Sequence, residues 1–332
     1  MKTPEVSMPW ATEPERGSPV RVSVVMPVFN AERHVEAAVR SVLASDLRDL
    51  EVVLVDDGSS DRSLERVRSI DDPRLAIITL PPSGGPSRPR NVGIAHARAP
   101  YVALLDADDL MKADKLGSAV AALEAHPHAG VAFADYERID GEGRLLEAST
   151  LSGYPVFSGL AGVALPDGWR LIPQSEFARG LLYENFIGTS GVVLRKSVLE
   201  RVGVFDESLT YSEDRDLWFR LAHSCDALYR DNVGHSYRVA PGSLTFRPSA
   251  RQARNRITAL RRERNRWKPG RERRQIDRLI AENLSAIAYD DRKQGRRLAS
   301  IARFLQALAV SRDARFLRGA LGSLLARSRP QS

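Results

Sequence analysis

The chain has 332 residues, of which 43% are hydrophobic and 27% are charged, as in ordinary globular proteins of one large or two modest domains. It contains no run of eighteen apolar residues, so no membrane-spanning helix is expected. Residues 1–18 are polar and proline-rich and lack the apolar core of a signal peptide, and we expect a flexible leader there. The single cysteine, Cys225, excludes an internal disulfide and favours a cytoplasmic protein.

Charge is distributed unevenly along the chain. The net charge is +7, but residues 249–332 contain 22 Lys and Arg against 7 Asp and Glu, a balance of +15. The first 248 residues therefore carry −8. Such an asymmetry predicts either an acidic partner for the C-terminal region or packing of that region on the acidic body of the protein.

Strands and helices alternate along the first part of the chain. Short apolar runs rich in β-branched residues are followed by segments with helical spacing. This alternation predicts right-handed βαβ units and therefore an α/β fold, a mostly parallel sheet flanked by helices. The predicted strands are 20–29, 50–55, 75–80 and 101–105, and the predicted helices are 31–45, 64–70 and 90–97.

The second part of the chain is less regular. Further strands are predicted at 131–136, 190–195 and 229–239, and the glycine-rich residues 147–167 are predicted to form a mobile lid. Beyond residue 248 the pattern is helical and basic, with breaks at Pro269-Gly270 and Gly295. We therefore expect an α/β domain over 19–245 and a basic helical region over 246–332.

Acidic side chains follow the strand that begins at Tyr101. Asp106 and Asp108 are two residues apart, and side chains at that spacing on an extended chain point the same way. Two close carboxylates repel each other unless a cation lies between them. A Mg²⁺-type ion that also binds a substrate diphosphate is the natural partner. The alternative is a solvated acidic turn before the next helix.

Polar residues also follow the first two strands, at Asn30 and Asp57. Ligands of open α/β sheets bind at the carboxyl ends of strands, so these side chains and the acidic pair are predicted to line one nucleotide-binding crevice. Asn30 could instead cap the next helix, and Asp57 could close an Asx turn. Arg90 is predicted to bind phosphate at the mouth of the crevice, the alternative being an exposed surface arginine. No dinucleotide or P-loop glycine motif is present.

Two further acids, Glu213 and Asp214, follow Ser212 at the start of a predicted helix over 213–223. The helix dipole alone could explain acids in a first turn. The functional hypothesis makes one of the pair a general base, with partial burial near Trp218 raising its pKa.

Four blocks of residues together resemble the family 2 glycosyltransferases, which have the GT-A fold, a Rossmann-like mostly parallel sheet. The resemblance covers about residues 20–245, and the blocks follow one another at the family's spacing. They are Val22-Ser-Val-Val-Met-Pro-Val-Phe-Asn30, Glu51-Val-Val-Leu-Val-Asp-Asp-Gly-Ser-Ser-Asp61, Arg90-Asn-Val-Gly-Ile-Ala95 with Leu104-Leu-Asp-Ala-Asp-Asp109, and Thr189-Ser-Gly-Val-Val-Leu-Arg195 with 203–209 and 212–222.

The resemblance implies a catalytic domain at 19–245, with a nucleotide-binding half at 19–110, an acceptor half at 111–245 and a C-terminal helical extension. It also implies a role for each matching residue. Pro27 and Phe29 line the base pocket, Asp57 holds the nucleobase, Asp106 contacts the ribose or the metal, Asp108 is the main Mn²⁺ or Mg²⁺ ligand, Asp214 is the catalytic base and Trp218 supports the acceptor side.

One position departs from the family pattern. Many relatives have a histidine in a Tyr-Arg-x-His-x-x-Ser run, whereas this chain has Ala240 there, in Tyr237-Arg-Val-Ala-Pro-Gly-Ser243. His235 lies nearby, but its place in the strand alternation makes it a poor substitute. Arg238 is the alternative cation at that side of the site.

The resemblance implies an inverting glycosyltransferase that uses a nucleotide-diphosphate sugar, with UDP favoured, and a divalent metal to glycosylate a hydroxyl of a glycan, a lipid-linked glycan or a small molecule, as in polysaccharide or glycoconjugate synthesis. One alternative is a metal-dependent nucleotidyltransferase, although 30–33 is a poor match to its glycine-rich basic loop. The other is a non-catalytic protein that binds nucleotide-sugars.

The pattern of the basic C-terminal region predicts amphipathic helices, with apolar positions such as Phe304, Leu305, Leu317 and Leu321. These apolar faces could pack on the catalytic domain or on a second subunit as a homodimer. They could also lie on an anionic membrane, as a peripheral contact at its inner face. No aromatic platform accompanies the charge, so no nucleic-acid partner is expected.

Overall fold

The computed structural model describes residues 5–7, 19–239 and 249–325. The chain divides into two compact units, one made of 1–207 and 217–241 and the other of 208–216 and 242–332. The second unit thus contains the predicted basic helical region together with a short segment from the α/β part. The missing family histidine concerns Ala240, which lies outside the described residues.

A mixed sheet forms the centre of the first unit, and more of its paired residues are in parallel than in antiparallel strand pairs. Within the described residues its strand order is β1-β4-β3-β2-β5-β11-β7-β12-β10-β9, with β6 pairing with β12 and β8 with β7. This confirms the predicted α/β fold. The strands are β1 Glu5–Ser7, β2 Val22–Val28, β3 Leu50–Asp56, β4 Leu75–Thr79, β5 Tyr101–Leu104, β6 Leu110–Met111, β7 Ala129–Ile139, β8 Leu145–Glu147, β9 Val163–Ala164, β10 Trp169–Ile172, β11 Val192–Arg195 and β12 Asp226–Arg238.

Parallel pairing holds the first four predicted strands in register. In β2, Val22 lies opposite Leu50 of β3 and opposite Tyr101 of β5, and β4 pairs in parallel with β3. Every residue of β3 and β5 is buried, as expected for strands covered by helices on both faces. Antiparallel β11 lies between β5 and β7 and extends the sheet beyond the parallel core.

Helices of the first unit cover the sheet, and the second unit contains further helices. The first turn of α8 belongs to the second unit and its remainder to the first. The helices are α1 Val35–Leu43, α2 Ser63–Arg68, α3 Ser87–His96, α4 Lys115–Ala125, α5 Pro155–Ser158, α6 Gln174–Tyr183, α7 Lys196–Val202, α8 Glu213–Ala222, α9 Ala250–Arg264, α10 Arg271–Lys293, α11 Arg297–Ser311 and α12 Arg315–Leu325.

The start of α1 corrects the prediction that Asn30 caps a helix from 31. The helix begins at Val35, and Asn30 adopts a left-handed conformation with φ of 49°. Its side-chain oxygen accepts a hydrogen bond from the Ser60 N–H at 2.9 Å, and its own N–H donates to Ser59 Oγ at 3.0 Å. These two hydrogen bonds join the turns that follow β2 and β3. The small amide side chain of Asn30 tolerates the left-handed conformation that they require.

Two predicted mobile segments contain ordered structure. Residues 5–7 of the predicted leader pair with β4, whose outer edge offers backbone hydrogen-bonding groups to an added strand. In the predicted lid, the buried Asp135 carboxylate accepts hydrogen bonds from the backbone N–H groups of Thr150 and Leu151 and from the Ser149 hydroxyl. Residues 149–151 are thus held against β7 by hydrogen bonds, which corrects the prediction of a mobile lid for these residues.

The second unit is a set of helices that pack on one another. Ser249 begins α9 with a capping box to Gln252. The predicted breaks at Pro269-Gly270 and Gly295 are confirmed, since they flank α10. Between α11 and α12 the Ser300 and Ser323 hydroxyls are 2.8 Å apart. Among the described residues, no helix is both long and apolar enough to cross a membrane.

Glycine at position 93 in α3 allows that helix to lie directly on β2. A Cβ atom there would be 2.4 Å from Val25 Cγ1, whereas a Cβ at Gly117 in α4 would meet only Leu47 Cβ, at 3.9 Å. Both glycines are inside helices, where alanine is intrinsically favoured by about 0.8–1 kcal/mol. We expect Gly117→Ala to raise the free energy of unfolding by about 0.5–1 kcal/mol and Gly93→Ala to lower it by about 1–3 kcal/mol. Urea unfolding measures both, and equal effects would contradict the close packing.

Candidate functional site

The site is formed where neighbouring strands of the sheet end. Strands β3, β2 and β5 are parallel neighbours, so their carboxyl ends lie at one edge of the sheet. The predicted residues Pro27, Asp57 and Asp106 follow or end these three strands. The topology therefore brings together the three clusters that the sequence placed in one crevice, as is usual for ligand sites of open α/β sheets.

The acidic pair after β5 is electrostatically coupled. The pKa of Asp108 is raised to about 6, mainly by burial and next by the neighbouring Asp106 carboxylate, while Arg238 and Arg90 oppose the shift. The Asp106 carboxylate is thus close enough to repel that of Asp108. The strand ends at Leu104, however, and the Asp109 N–H donates to the Asp106 carbonyl at 3.1 Å, so the two acids lie in a turn and the extended geometry predicted for them is wrong. The Asp106 side chain is 32% exposed, so the pair is reached from solvent.

Arg90 holds Asp106 from α3. Its Nη2 donates to Asp106 Oδ1 at 2.6 Å, and its guanidinium carbon lies 5.3 Å from the centre of the Phe205 ring. Only 5% of the Arg90 side chain is exposed, so the alternative of an exposed surface arginine is wrong. Contact between Arg90 and a phosphate stays a prediction. The guanidinium that would make this contact also forms an ion pair with Asp106.

A buried layer lies directly behind the pair. Asp109, 1% exposed, accepts hydrogen bonds from Ser190 Oγ at 2.5 Å and from the Arg238 N–H at 2.8 Å. Ser190 Oγ in turn accepts from the Asp106 N–H at 3.0 Å, and the buried Lys115 ammonium donates to the Ser190 carbonyl. The sequence assigned no role to Asp109 or Ser190, although both lie in the matched blocks.

Burial controls the charge of this layer. It raises the pKa of Asp109 well above its ordinary value, with Asp108 and Asp106 adding to the effect. Burial also lowers the pKa of Lys115 to about 7, while the nearby Asp109 opposes that shift. The charges of Asp109 and Lys115 therefore stabilise each other inside the protein. Burial nevertheless makes ionisation of either group less favourable than it is in water.

His235 and Arg238 occupy the β12 side of the site. His235 is 1% exposed and its ring lies against Tyr136, with centroids 5.1 Å apart. Burial lowers its pKa well below the ordinary value, so His235 is neutral. That His235 does not replace the family histidine stays a prediction. The Arg238 Nε donates to the Asp108 carbonyl at 2.8 Å, which places a fixed cation beside the acidic pair.

Asp57 is held by the proline-rich loop after β4. Its two carboxylate oxygens accept from the Ser83 N–H at 3.0 Å and the Ser83 hydroxyl at 2.8 Å. The Asx-turn bond belongs to its neighbour, since Asp56 accepts from the Ser59 N–H at 3.2 Å. Burial raises the pKa of Asp57, and the Ser83 bonds partly counter this. Asp57 is thus fixed in orientation at the end of β3.

Pro27 and Phe29 lie at the end of β2 with different exposures. Pro27 is half-buried, whereas Phe29 is 58% exposed, an unusual state for a large aromatic side chain at a strand end. A planar ring with one face in solvent suits stacking against a base. Their predicted role in the base pocket stays a prediction.

Glu213 and Asp214 lie in the first turn of α8, within the second unit. Glu213 is buried, and Asp214 Oδ1 accepts from the Arg215 N–H at 2.7 Å. Trp218, further along the same helix, belongs to the first unit and is 0% exposed, with its ring edge-on to Phe205. Trp218 is therefore a core side chain and cannot itself touch an acceptor, because its apolar ring is fully enclosed.

The acidic pair fits a divalent cation through its chemistry. Across residues 19–239 and 249–325, no group of three or more His, Cys, Asp or Glu side chains is arranged as a metal site. Two carboxylates are nevertheless sufficient for Mg²⁺-type ions, which complete their shell with water and substrate phosphates. The mutual repulsion of Asp106 and Asp108 is the feature that such an ion would relieve.

The burial of Asp108 and its repulsion by Asp106 together predict a stability effect with a definite sign. The pKa of Asp108 is raised by folding, so its charge destabilises the folded state above about pH 6 and costs nothing below about pH 4, where both states are protonated. We expect metal-free Asp108→Asn to be more stable than wild type at pH 8 by about 1–3 kcal/mol, a gain that shrinks on acidification.

Thermal unfolding from pH 4 to 8 measures the effect, with the exposed Asp46→Asn as the matched control. Added Mn²⁺ should raise the Tm of wild type but not that of Asp108→Asn. A variant that is less stable than wild type at pH 8 would contradict the expected free-energy cost of the Asp108 charge in the folded protein.

Comparison with known proteins gives a family and several relatives for this chain. Residues 23–203 match the family described as Glycosyl transferase family 2. The succinoglycan biosynthesis protein ExoO of Rhizobium meliloti is 29% identical over 228 residues, 68% of this chain and 62% of that protein. The Escherichia coli UDP-Glc:alpha-D-GlcNAc-diphosphoundecaprenol beta-1,3-glucosyltransferase WfgD is 25% identical over 226 residues, 68% of this chain and 79% of that protein.

A solved structure shares the fold. The crystal structure of S. aureus TarS 1-349 in complex with UDP-GlcNAc has a TM-score of 0.61 at 20% identity, covering 89% of this chain and 82% of that one. The chain spans less than two thirds of the length of several curated relatives that it matches. More than half of the chain lies within the family match. The chain belongs to glycosyl transferase family 2.

Proposed function

We propose that the protein transfers a sugar from a nucleotide-diphosphate sugar, with UDP as the favoured nucleotide, to a hydroxyl acceptor with inversion. The observation that carries this proposal is the coupled pair of Asp106 and Asp108 at the carboxyl edge of the sheet, held by Arg90. Membership of the family supports transfer of a sugar. The TarS structure contains UDP-GlcNAc, which supports a UDP-sugar donor here.

The acidic pair would hold the cation, with Asp108 as its main ligand and Asp106 reaching the ribose or the metal. The bound ion supplies positive charge to the diphosphate as the sugar–phosphate bond breaks. Arg90 and Arg238 flank the pair and add positive charge where the leaving group becomes more negative. The protein's own contribution is to fix these groups in place before the donor binds.

On the nucleotide side, Asp57 would accept N–H groups of the base. Its orientation is set by Ser83, so this acceptor is in place before the nucleotide arrives. The exposed ring of Phe29 would stack on the base, with Pro27 beside it and Asn30 shaping the turn.

Asp214 would remove the acceptor proton as the hydroxyl oxygen attacks the anomeric carbon from the face opposite the diphosphate. This single displacement inverts the configuration and needs no covalent enzyme intermediate. The proposal rests on the family pattern, in which the second acid of Glu213-Asp214 is the base. Buried Glu213 suits a supporting role at the start of α8 better than a direct one.

Two relatives bear on the acceptor. ExoO is named for succinoglycan biosynthesis, and WfgD for transfer to a diphosphoundecaprenol-linked sugar. These names support a role in polysaccharide or glycoconjugate synthesis and favour a lipid-linked glycan as acceptor.

The transfer hypothesis is tested by incubating the protein with UDP-sugars, Mn²⁺ and acceptor and measuring released UDP. Asp108→Ala and Asp214→Asn should each lower kcat by about 100-fold or more, the first with weaker and the second with unchanged UDP binding. Asp46→Asn is the control and should match wild type.

Other products would identify the alternatives. Release of pyrophosphate would indicate a nucleotidyltransferase. UDP binding without turnover of any common donor, unaffected by Asp214→Asn, would indicate a binding protein. Equal turnover by Asp108→Ala and wild type would contradict the proposal itself.

The helical unit carries a candidate surface for peripheral membrane contact. Leu317, Leu321 and Leu324 lie on one face of α12 and are 45%, 50% and 63% exposed. The +15 balance of residues 249–332 suits an anionic lipid surface, where each basic residue contributes about 1 kcal/mol. We propose that this leucine row inserts at such a surface, which would place the enzyme near a lipid-linked acceptor.

Vesicle sedimentation tests the leucine row. We expect wild type to bind phosphatidylglycerol-containing vesicles and not phosphatidylcholine vesicles, and the triple change of Leu317, Leu321 and Leu324 to serine to lower binding about tenfold or more. Substitution of Leu145 and Leu146 on β8, each 58% exposed, is the matched control. A wild-type dimer that the triple variant abolishes, without any vesicle binding, would show that a second copy covers the row.

A further inference from the structure

The second unit contains a cavity of about 260 Å³. It lies between Ser212 and the first turn of α8 on one side and the helices α9 and α10 on the other. One part of its wall is polar and includes Arg215, Arg256 and Asn283. The other part is apolar and is formed by Ala259, Leu260 and Leu279. The cavity therefore suits a ligand that has both a charged and a carbon-rich part.

Hydrogen bonds and ion pairs fix the walls of the cavity. The Asn255 side chain in α9 is 3.3 Å from the Thr210 hydroxyl, and Arg262 in α9 pairs with Asp216 at 3.2 Å. These two contacts tie segment 208–216 to α9 on both sides of the residues that face the cavity. Arg264 and Asp277 form an ion pair that joins α9 to α10. The cavity is thus formed by the folded chain without a ligand.

The charge lining the cavity is positive. Burial lowers the pKa of Arg215 to about 10, and the like charge of Arg256 is the next cause, ahead of the opposing charges of Asp214 and Glu263. Arg215 is still protonated at neutral pH, so two positive guanidiniums line the cavity, and that of Arg256 is also exposed to solvent. The acid on the wall, Glu282, lies 3.8 Å from Arg315, which offsets its charge.

We propose that this cavity binds the phosphoryl group, a phosphate or diphosphate ester, of the acceptor. Guanidinium groups match phosphate oxygens with paired N–H donors, and an anion between them relieves the repulsion of Arg215 and Arg256. The apolar wall then faces the carbon chain of the ester. The assignment to an acceptor rests on the proposed function: Arg215 directly follows Asp214, so the phosphoryl group would be bound next to the proposed base.

Direct binding tests the cavity independently of transfer. Isothermal titration with inorganic pyrophosphate in EDTA excludes metal-dependent binding at the acidic pair. We expect saturable binding by wild type, about tenfold weaker binding by Arg256→Ala, and partial recovery in Arg256→Lys, which keeps the charge but loses the paired donors. Arg254→Ala is the matched control, because Arg254 is another exposed arginine of α9 and is not part of the cavity wall. No binding by wild type, or equal weakening in both alanine variants, would overturn the proposal.

Kinetics then decide which phosphoryl compound is bound. With a diphosphate-linked acceptor, Arg256→Ala should raise the acceptor KM about tenfold while leaving kcat and the donor KM unchanged. With the same sugar acceptor lacking phosphate, Arg256→Ala and wild type should have the same KM. Equal effects on both acceptors would overturn the assignment to the acceptor. Failure of all transfer would count against the proposed function, whereas the pyrophosphate titration would still decide on the cavity.

Discussion

The repulsion between the carboxylates of Asp106 and Asp108 is the constraint on which the site depends. The chain holds two like charges together after β5, and the pKa of Asp108 is raised first by its burial and then by the Asp106 charge. Arg90 from α3 and Arg238 from β12 offset part of that cost from two sides. Such an arrangement lowers the stability of the empty site, which is typical of functional sites that are completed by a ligand.

The layer behind the pair explains how this strain is tolerated. Asp109 and Ser190 connect the end of β5 to β11, and the Arg238 N–H connects it to β12. Antiparallel β11 is what brings Ser190 under the Asp106 backbone. The backbone around the acidic pair is therefore hydrogen-bonded to residues next to β11 and in β12, and the sheet fixes its geometry.

Hydrophobic periodicity was sufficient to predict the parallel strands and the location of the acids after a strand, because a buried strand is a local property of the sequence. It could not predict the pairing of Arg90 with Asp106 or the role of Asp109. Those depend on contacts such as Ser190 to Asp109, which are 81 residues apart in the chain. The left-handed Asn30 was missed for the same reason, because its conformation is stabilised by the distant Ser59 and Ser60.

The ion pair of Arg90 and the position of Arg238 have a consequence for electroneutrality. Two carboxylates and two guanidiniums already sum to zero formal charge around the acidic pair. A divalent ion alone would leave a local excess of +2, and a diphosphate alone an excess of −2, whereas the two together restore balance. Ion and nucleotide would therefore bind with positive cooperativity, each strengthening the other by the same factor. Loss of the sugar adds negative charge to the bound nucleotide, which would make departure of the product a slow step of the cycle.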